Sequence, residues 1–269
     1  MRTLEINPLG TVSPYCTKNN NCPGYMFTYV TDEARLDKQS ISKHILVDCG
    51  SGTSRFLEDN VGVLTDLKVI ITHYHKDHFA DIGAIQYVSY LYKPIIHFET
   101  GGRGVEVFLP KNDHEYSQKS ILATKEAYCT YYGIEDGMSF READLDITLK
   151  DNKSHDIESY MVKFENDFVK VVYTSDVGTS NFDELVAFCQ KSDLIICESS
   201  LLKTNKSSKS QHMTAYDAGV LAKESNSKKL LLTHFWPDTP KEFYLEEAKE
   251  VFENTEVAEE GKKLIYTKG

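Results

Sequence analysis

Three histidines and an aspartate fall within six positions of this chain, in the segment His73-Tyr-His75-Lys-Asp77-His78. The apolar run Val69–Ile71 precedes them and a helix-like pattern follows. The cluster therefore sits in the loop that leaves a buried strand, and loops on rigid strand ends are where side chains from distant parts of a chain converge. Neutral imidazole and carboxylate suit Zn²⁺, Mn²⁺ or Fe²⁺, and a catalytic ion needs an open position for water. His73 and His75 are two apart, so in an extended segment they point the same way and can share one ion. Asp77 and His78 open the turn into the helix and can reach a second ion. The bland alternative is a solvated loop rich in histidine; the pattern and its position favour ligands.

Single residues elsewhere supply what the cluster lacks. Asp176 follows the strand pattern VKVVYT, His234 follows KLLLT, and His155 precedes MVKF. Taken alone, His155 is more often a plain loop residue, and His212 is as readily a surface residue as a functional one. His44, His97 and His114 have no motif support and read as structural.

The surrounding pattern is a mixture of strands and helices in both halves. Strands are expected at Thr3–Ile6, Tyr25–Thr31, His44–Asp48, Lys68–Thr72, Val105–Leu109, Tyr160–Glu165, Val169–Thr174, Leu194–Cys197 and Lys229–Thr233. Helices are expected over Ala80–Tyr92, stopped by Pro94, and over Tyr116–Tyr132, Asp183–Gln190, Thr214–Lys223 and Glu242–Phe252. No linker-like break appears, so residues 1–269 read as one layered α/β domain. KTNKSSKS at Lys203–Ser210 reads as a mobile loop.

Composition narrows the function. Lys and Arg total 30 against 41 Asp and Glu, a formal charge of −11. A protein that grips nucleic-acid backbones usually shows a basic face, so that class starts at a disadvantage. No apolar run approaches the 18 residues of a membrane span, and the N-terminus lacks the pattern of a signal peptide. The 6 cysteines are spread along the chain and fit reduced thiols in a cytoplasmic protein, with Cys49 and Cys197 in apolar runs. Cys16 and Cys22 read as a loop pair rather than a metal clip.

The His-x-His-x-Asp-His motif with a later His, Asp and His resembles the metallo-β-lactamase superfamily, from about the first strand to Trp236. The resemblance implies an αββα sandwich, two mixed sheets flanked by helices, with two divalent metal ions along one edge. Zn²⁺ is the first choice, with Mn²⁺ or Fe²⁺ as alternatives. Carried over by motif, His73, His75 and His155 hold the first ion, Asp77, His78 and His234 hold the second, and Asp176 bridges them. A bridging Asp is present in the superfamily's phosphodiesterases and thioester hydrolases and missing from many of its true β-lactamases. Asp48 in LVDCGSGTS resembles the family's Asp-x-Gly segment, which orients ligands without touching metal.

The segment QHMTAYDAGVLAKESNSKKLLLTHFWP is similar to the ribonuclease Z branch, in which the histidine at 212 assists the leaving group. That branch carries a long arm that holds tRNA, and its bacterial form inserts the arm between the third ligand histidine and the bridging aspartate. Here only 20 residues separate His155 from Asp176. With the acidic charge, this points away from tRNA and toward short, armless members. The resemblance thus implies a binuclear metal-dependent hydrolase of small nucleotide or cyclic phosphodiesters. A hydroxide held between the metals attacks phosphorus, Asp77 orients it or accepts its proton, and His212 is the leaving-group acid. The rivals are a lactonase or thioesterase using the same metals, and a non-catalytic binding module. A homodimer would be usual for such relatives, and no membrane partner is expected. Gly50 and Gly52 read as a tight turn rather than a phosphate cradle. GGRG at 101–104 reads as a flexible loop, with Arg103 reaching a substrate phosphate as its second reading, and Tyr74 is expected to line the site.

Overall fold

The protein is described here by a computed structural model covering all residues except 32–40, 59–60, 113–116, 124–127 and 208–209. Its contacts divide it into two compact units. The first comprises Met1–Gly10, Asn19–Ile134 and Glu260–Gly269. Strands β1 (Arg2–Gly10), β2 (Gly24–Thr31) and β3 (Ile41–Val47) pair antiparallel in that order, and β4 (Leu67–Ile70), β5 (Val105–Pro110) and β6 (Cys129–Ile134) continue the sheet in parallel from β3. The last strand, β14 (Leu264–Lys268), closes the other edge against β1, which makes 7 strands.

Two residue patterns explain the two kinds of strand. On β1 burial alternates, with Leu4 and Ile6 facing the core opposite Tyr29 and Phe27 of β2. Parallel strands covered on both faces read as unbroken apolar runs, and Val69, Ile70 and Ile71 are all fully buried. The helices are α1 (Lys76–Phe79), α2 (Ile82–Leu91), α3 (Lys93–Thr100) and α4 (Ser117–Leu122).

Two expectations need correction. Pro94 does not end helical structure; it stands in the first turn of α3, where its missing N–H costs nothing. The helix expected over Tyr116–Tyr132 is helical only at Ser117–Leu122, and Cys129–Ile134 is strand β6 paired with β5. The β-forming run Cys-Thr-Tyr-Tyr finds a parallel partner there, and pairing overrides helical spacing. Tyr116 and His114 lie outside the described residues.

The second unit comprises Thr11–Lys18 and Glu135–Glu259. Strands β7 (Ser139–Glu142), β8 (Leu145–Asp151), β9 (Tyr160–Glu165) and β10 (Lys170–Tyr173) form an antiparallel meander. Then β11 (Leu194–Glu198), β12 (Leu230–Thr233) and β13 (Thr255–Val257) add in parallel to β10, again giving 7 strands. Helices α5 (Phe182–Cys189), α6 (Ala215–Glu224) and α7 (Lys241–Lys249) accompany this sheet, with α6 on β11 and β12. A capping box fixes the start of α6: Thr214 accepts from the Asp217 amide and Asp217 accepts from the Thr214 amide. The core includes Val172, Ile195, Cys197, Leu221 and Leu230.

Among the described residues, no helix is long and apolar enough to cross a membrane. All 6 cysteines are free thiols, with Cys49 and Cys197 buried as expected and Cys16 exposed. The lysines of the Lys203 stretch that are described are engaged: Lys203 pairs with Glu250 and Lys206 with Asp217.

Candidate functional site

In the first unit the site residues follow β4. His75 is the extended residue that starts α1, which turns Asp77 and His78 back beside His73. The His73 ring centroid lies 4.8 Å from that of His75 and 4.1 Å from that of His78. Asp77 Oδ2 is 3.6 Å from His78 Nε2. Asp48, fully buried, holds this cluster from behind. Its Oδ1 accepts from the Thr72 amide at 2.9 Å and its Oδ2 lies 2.8 Å from His78 Nδ1. Thr72 Oγ1 is 3.1 Å from His73 Nδ1. In both His73 and His78 the Nδ1 atom is thereby engaged, which leaves Nε2 as the nitrogen a metal ion could use.

The Asp48–Ser54 turn is shaped around this cluster. A Cβ at Gly50 would stand 2.0 Å from the Asp77 carbonyl oxygen, so only glycine lets the two loops approach. The amides of Gly52 and Ser54 both donate to the Asp81 carboxylate, at 2.9 and 3.0 Å. The turn does cradle an anion, and the anion is the chain's own. Tyr74 does not line the site: it is buried, and its hydroxyl donates to the Pro110 carbonyl of β5 at 2.7 Å. Arg103 sits near the Glu106 carboxylate of β5, whose acidity it supports. His44 lies 3.2 Å from Thr28 Oγ1 and His97 2.7 Å from the Tyr128 hydroxyl, as plain structural residues do.

In the second unit, strand direction brings the residues together. Strands β10, β11 and β12 are parallel neighbours, so their carboxyl ends share one edge, where α/β sheets bind ligands. Asp176, Glu198 and His234 stand at or just beyond those three ends. The loop before β9 reaches the same edge because β9 runs antiparallel to β10, and it carries His155. This loop is fastened to Asp176: Asn152 Nδ2 and Ser159 Oγ donate to the Asp176 carbonyl at 2.9 and 3.0 Å. The Gly178 amide donates to the Ser154 carbonyl at 3.0 Å, and a Cβ at Gly178 would stand 2.6 Å from that oxygen.

The two oxygens of Asp176 face different imidazoles. Oδ1 lies 3.0 Å from His234 Nε2, while Oδ2 lies 4.0 Å from His155 Nε2 and 3.9 Å from His212 Nδ1. One donor atom from each of Asp176, His212 and His234 falls within 4.8 Å of the others. Such a set of nitrogen and oxygen donors fits a divalent cation. Left-handed backbone occurs here as at other turns of the chain: Ser175 has φ 55° and His234 φ 64°, and in the first unit Asp48 has φ 60°.

Sequence reasoning missed Glu198 and Ser200. Glu198 is 1% exposed, and its Oε1 lies 2.8 Å from His212 Nδ1 and accepts from the Val177 amide at 3.0 Å. Burial alone would raise its pKa, but His212 outweighs that and holds the carboxyl below its ordinary range. Ser200 Oγ donates to Glu198 Oε2 at 2.8 Å and lies 2.7 Å from His234 Nδ1. Glu198 ends a buried apolar strand just as Asp176 and His234 follow theirs, but only the parallel pairing of β10 and β11 shows that it belongs beside them.

The model of the beta-lactamase superfamily domain matches residues 43–235. The chain belongs to this superfamily. A Bacillus subtilis protein named probable metallo-hydrolase YhfI is 27% identical to it over 253 residues, covering 93% of this chain and 94% of the relative. The crystal structure of YhfI, a metallo-β-lactamase fold protein, matches with a TM-score of 0.82 over 98% of this chain and 100% of its own. Ribonuclease Z of Clostridium kluyveri is 28% identical over 81% of this chain and 87% of its length. Human tRNase Z, short form, shares the fold at a TM-score of 0.69 and 20% identity, over 97% of this chain and 98% of that one. The chain therefore has the metallo-β-lactamase fold, two mixed sheets with flanking helices, and is a metallo-hydrolase related to ribonuclease Z.

Proposed function

We propose that the protein hydrolyses phosphodiester bonds in small nucleotides or cyclic nucleotides, and that its two units act as one catalytic domain. His73, His75 and His155 would hold one divalent cation and Asp77, His78 and His234 a second, with Asp176 shared. The observation that carries this reading is the Asp176 carboxylate, whose two oxygens face His234 on one side and His155 on the other. Zn²⁺ is the ion we assign first, with Mn²⁺ and Fe²⁺ as alternatives. The ions would lower the pKa of water to about 7 and neutralise charge on the phosphoryl oxygens. Buried thiols such as Cys49 and Cys197 suit a reducing cytoplasm.

The chain's own residues divide the proton work. Water adds to phosphorus as the phosphorus–oxygen ester bond breaks, and Asp77 orients that water or accepts its proton. The departing oxygen needs a proton in return. His212 would give it: with Nδ1 directed to Glu198, Nε2 is left as the nitrogen to deliver the proton. Glu198 stays anionic beside it and stabilises the imidazolium before transfer. The products are a phosphomonoester and an alcohol.

The test is hydrolysis of bis(p-nitrophenyl) phosphate by protein loaded with Zn²⁺ or Mn²⁺. Turnover that vanishes in Asp176→Ala supports the reading. If protein shown to hold two ions gives no turnover while lactones or thioesters are cleaved, the reading falls.

We also infer that two copies pair through the outer face of α2 and α3. Ile82–Tyr92 contains no charged residue in a chain that is 26% charged. Both its faces carry apolar side chains: Ile82 and Ile85 are buried with Gln86 and Ser89, while Tyr87, Tyr90 and Leu91 are 54, 46 and 56% exposed. Ile95 and Phe98 of α3 extend the patch, at 56 and 83% exposure. At ~200 Å² for each large side chain these residues leave roughly 500–600 Å² in water, approaching the ~800 Å² per partner of a standard interface. Exposed Gly83 and Ala84 lie one turn from Tyr87 and two turns from Leu91, so two antiparallel copies of α2 seat large side chains on small ones.

A further inference from the structure

The second unit exposes four large apolar side chains among its described residues, and all are aromatic: Tyr15, Tyr216, Trp236 and Phe243. Exposed aromatics scattered singly need no explanation. Tyr216 is accounted for, because the Lys203 ammonium lies 4.9 Å from its ring centroid. Tyr15 and Trp236 differ, because the backbone ties them into one frame beside His234.

The tie has three parts. The Phe235 amide donates to the Thr11 carbonyl at 2.9 Å, and the Ser13 amide donates back to the Phe235 carbonyl at 3.0 Å. The Tyr15 hydroxyl donates to Asp238 Oδ2 at 3.4 Å. Between these contacts Trp236-Pro237-Asp238-Thr239 closes a turn, with the Thr239 amide donating to the Trp236 carbonyl at 3.1 Å. Proline at the second position of such a turn presets its backbone angle. Phe235 is packed into the core against Tyr244, their ring centroids 5.1 Å apart, which anchors the frame. Trp236 is still 47% exposed and Tyr15 50% exposed. The protein thus presents two flat rings to water: Trp236, at most about 7 Å of chain beyond His234, and Tyr15, tied to the same turn through Asp238.

We propose that Trp236 and Tyr15 form a stacking platform for a nucleobase whose phosphate is processed at the neighbouring histidines, a proposal that rests on the phosphodiesterase reading above. Stacking suits this place because the indole and phenol faces accept any planar base, and both rings lose little freedom on binding. The Asp238 carboxylate at the rim of the platform accepts from the exocyclic amino group of adenine, guanine or cytosine. An acyl chain would find neither a flat partner nor a use for that carboxylate. The base could belong to a free nucleotide or to the end of an RNA strand.

Trp236 is the 1 tryptophan of the chain, so emission excited selectively from tryptophan reports on the platform alone. Metal-loaded protein is titrated with adenosine 5′-monophosphate, with ribose 5-phosphate, and with a short single-stranded oligoribonucleotide. The expected result is saturable quenching by the nucleotide and none by the sugar phosphate. Tyr15→Ala should weaken nucleotide binding about tenfold. By calorimetry Trp236→Ala should do the same, while Trp236→Phe keeps most of the affinity. An oligonucleotide that binds far more tightly than the mononucleotide names an RNA end as the source of the base; equal binding names the free nucleotide. Quenching equal for nucleotide and ribose 5-phosphate, no quenching at all, or unchanged affinity in both alanine variants overturns the platform. Hydrolysis of bis(p-nitrophenyl) phosphate by the same preparations separates the two claims. Turnover without nucleotide quenching sinks the platform alone, and quenching without turnover sinks the catalytic reading alone.

Discussion

Glu198 Oε1 lies 2.8 Å from His212 Nδ1, at the end of a strand whose five residues are all buried. A buried carboxylate paired with a half-buried imidazole fixes the ring's orientation and raises its affinity for a proton. Glu198→Gln keeps the shape and removes the charge. We expect it to slow cleavage of esters with poor leaving groups by about 10²-fold, the lower range for general-acid catalysis. Nitrophenolate needs no proton and should be released at nearly the native rate. Parallel assays of methyl p-nitrophenyl phosphate and a nucleoside 3′,5′-cyclic phosphate check this, and equal losses on both would remove His212 from the acid role.

Asp48→Asn changes one atom of the group that orients His78. The left-handed backbone at Asp48, φ 60°, is tolerated by asparagine, so the fold should survive. A weaker partner for Nδ1 should cost about 10–100-fold in metal affinity. Competition with a chromogenic chelator measures it, and native affinity in the variant would show that Asp48 supports only the backbone.

Gly178→Ala places a methyl group 2.6 Å from the Ser154 carbonyl oxygen. The loops carrying His155 and Asp176 must then separate. Overpacking of this kind costs about 1–3 kcal/mol. Thermal unfolding should show that loss, and activity should fall further than stability alone explains.

Leu91→Glu puts a charge in the uncharged face of α2. Light scattering after size exclusion should report a dimer for the native chain and a monomer for the variant. A native monomer at tens of micromolar would end the pairing proposal.

Glu106 offers a pH test away from the site. Burial pushes its carboxyl up, but the Lys68 ammonium and the Tyr132 hydroxyl outweigh this and hold it below its ordinary range. A depressed folded pKa contributes stability above the unfolded value of about 4.3, and that stability is lost as pH falls through the folded value. Glu106→Gln should therefore melt below the native protein at pH 7, and the two curves should converge in acid. A gap that persists at pH 2.5 would assign the effect to packing.

The parts of the fold that were legible are those in which one residue pattern has one solution. Val69–Ile71 before His73 and Leu230–Thr233 before His234 read as buried strands because apolar runs bounded by polar residues fit little else. β8 was missed although Leu145, Ile147 and Leu149 alternate with polar residues, and β7, β13 and β14 were missed because Ser139–Glu142, Thr255–Val257 and Leu264–Lys268 are short and half polar. Their pairing depends on partners distant in sequence, which no local pattern reports. Asp48 was legible through its motif. Glu198 was not, since a lone carboxylate after Leu-Ile-Ile-Cys announces nothing until parallel pairing with β10 sets it beside Asp176. Gly50 and Gly52 were read rightly as a turn, but only the structure shows that Asp81 occupies the amides.

The parallel order of β10, β11 and β12 has a consequence for how such a protein can change. The residues that hold these strands in register, such as Val172, Ile195 and Leu231, lie upstream of the last ladder bonds, and Asp176, Ser200 and His234 lie downstream of them. Cohesion and reactivity are thus written in consecutive but separate stretches of each strand–loop unit. Grafting the segments that follow the strands would give a chain new substrates without asking its interior to repack.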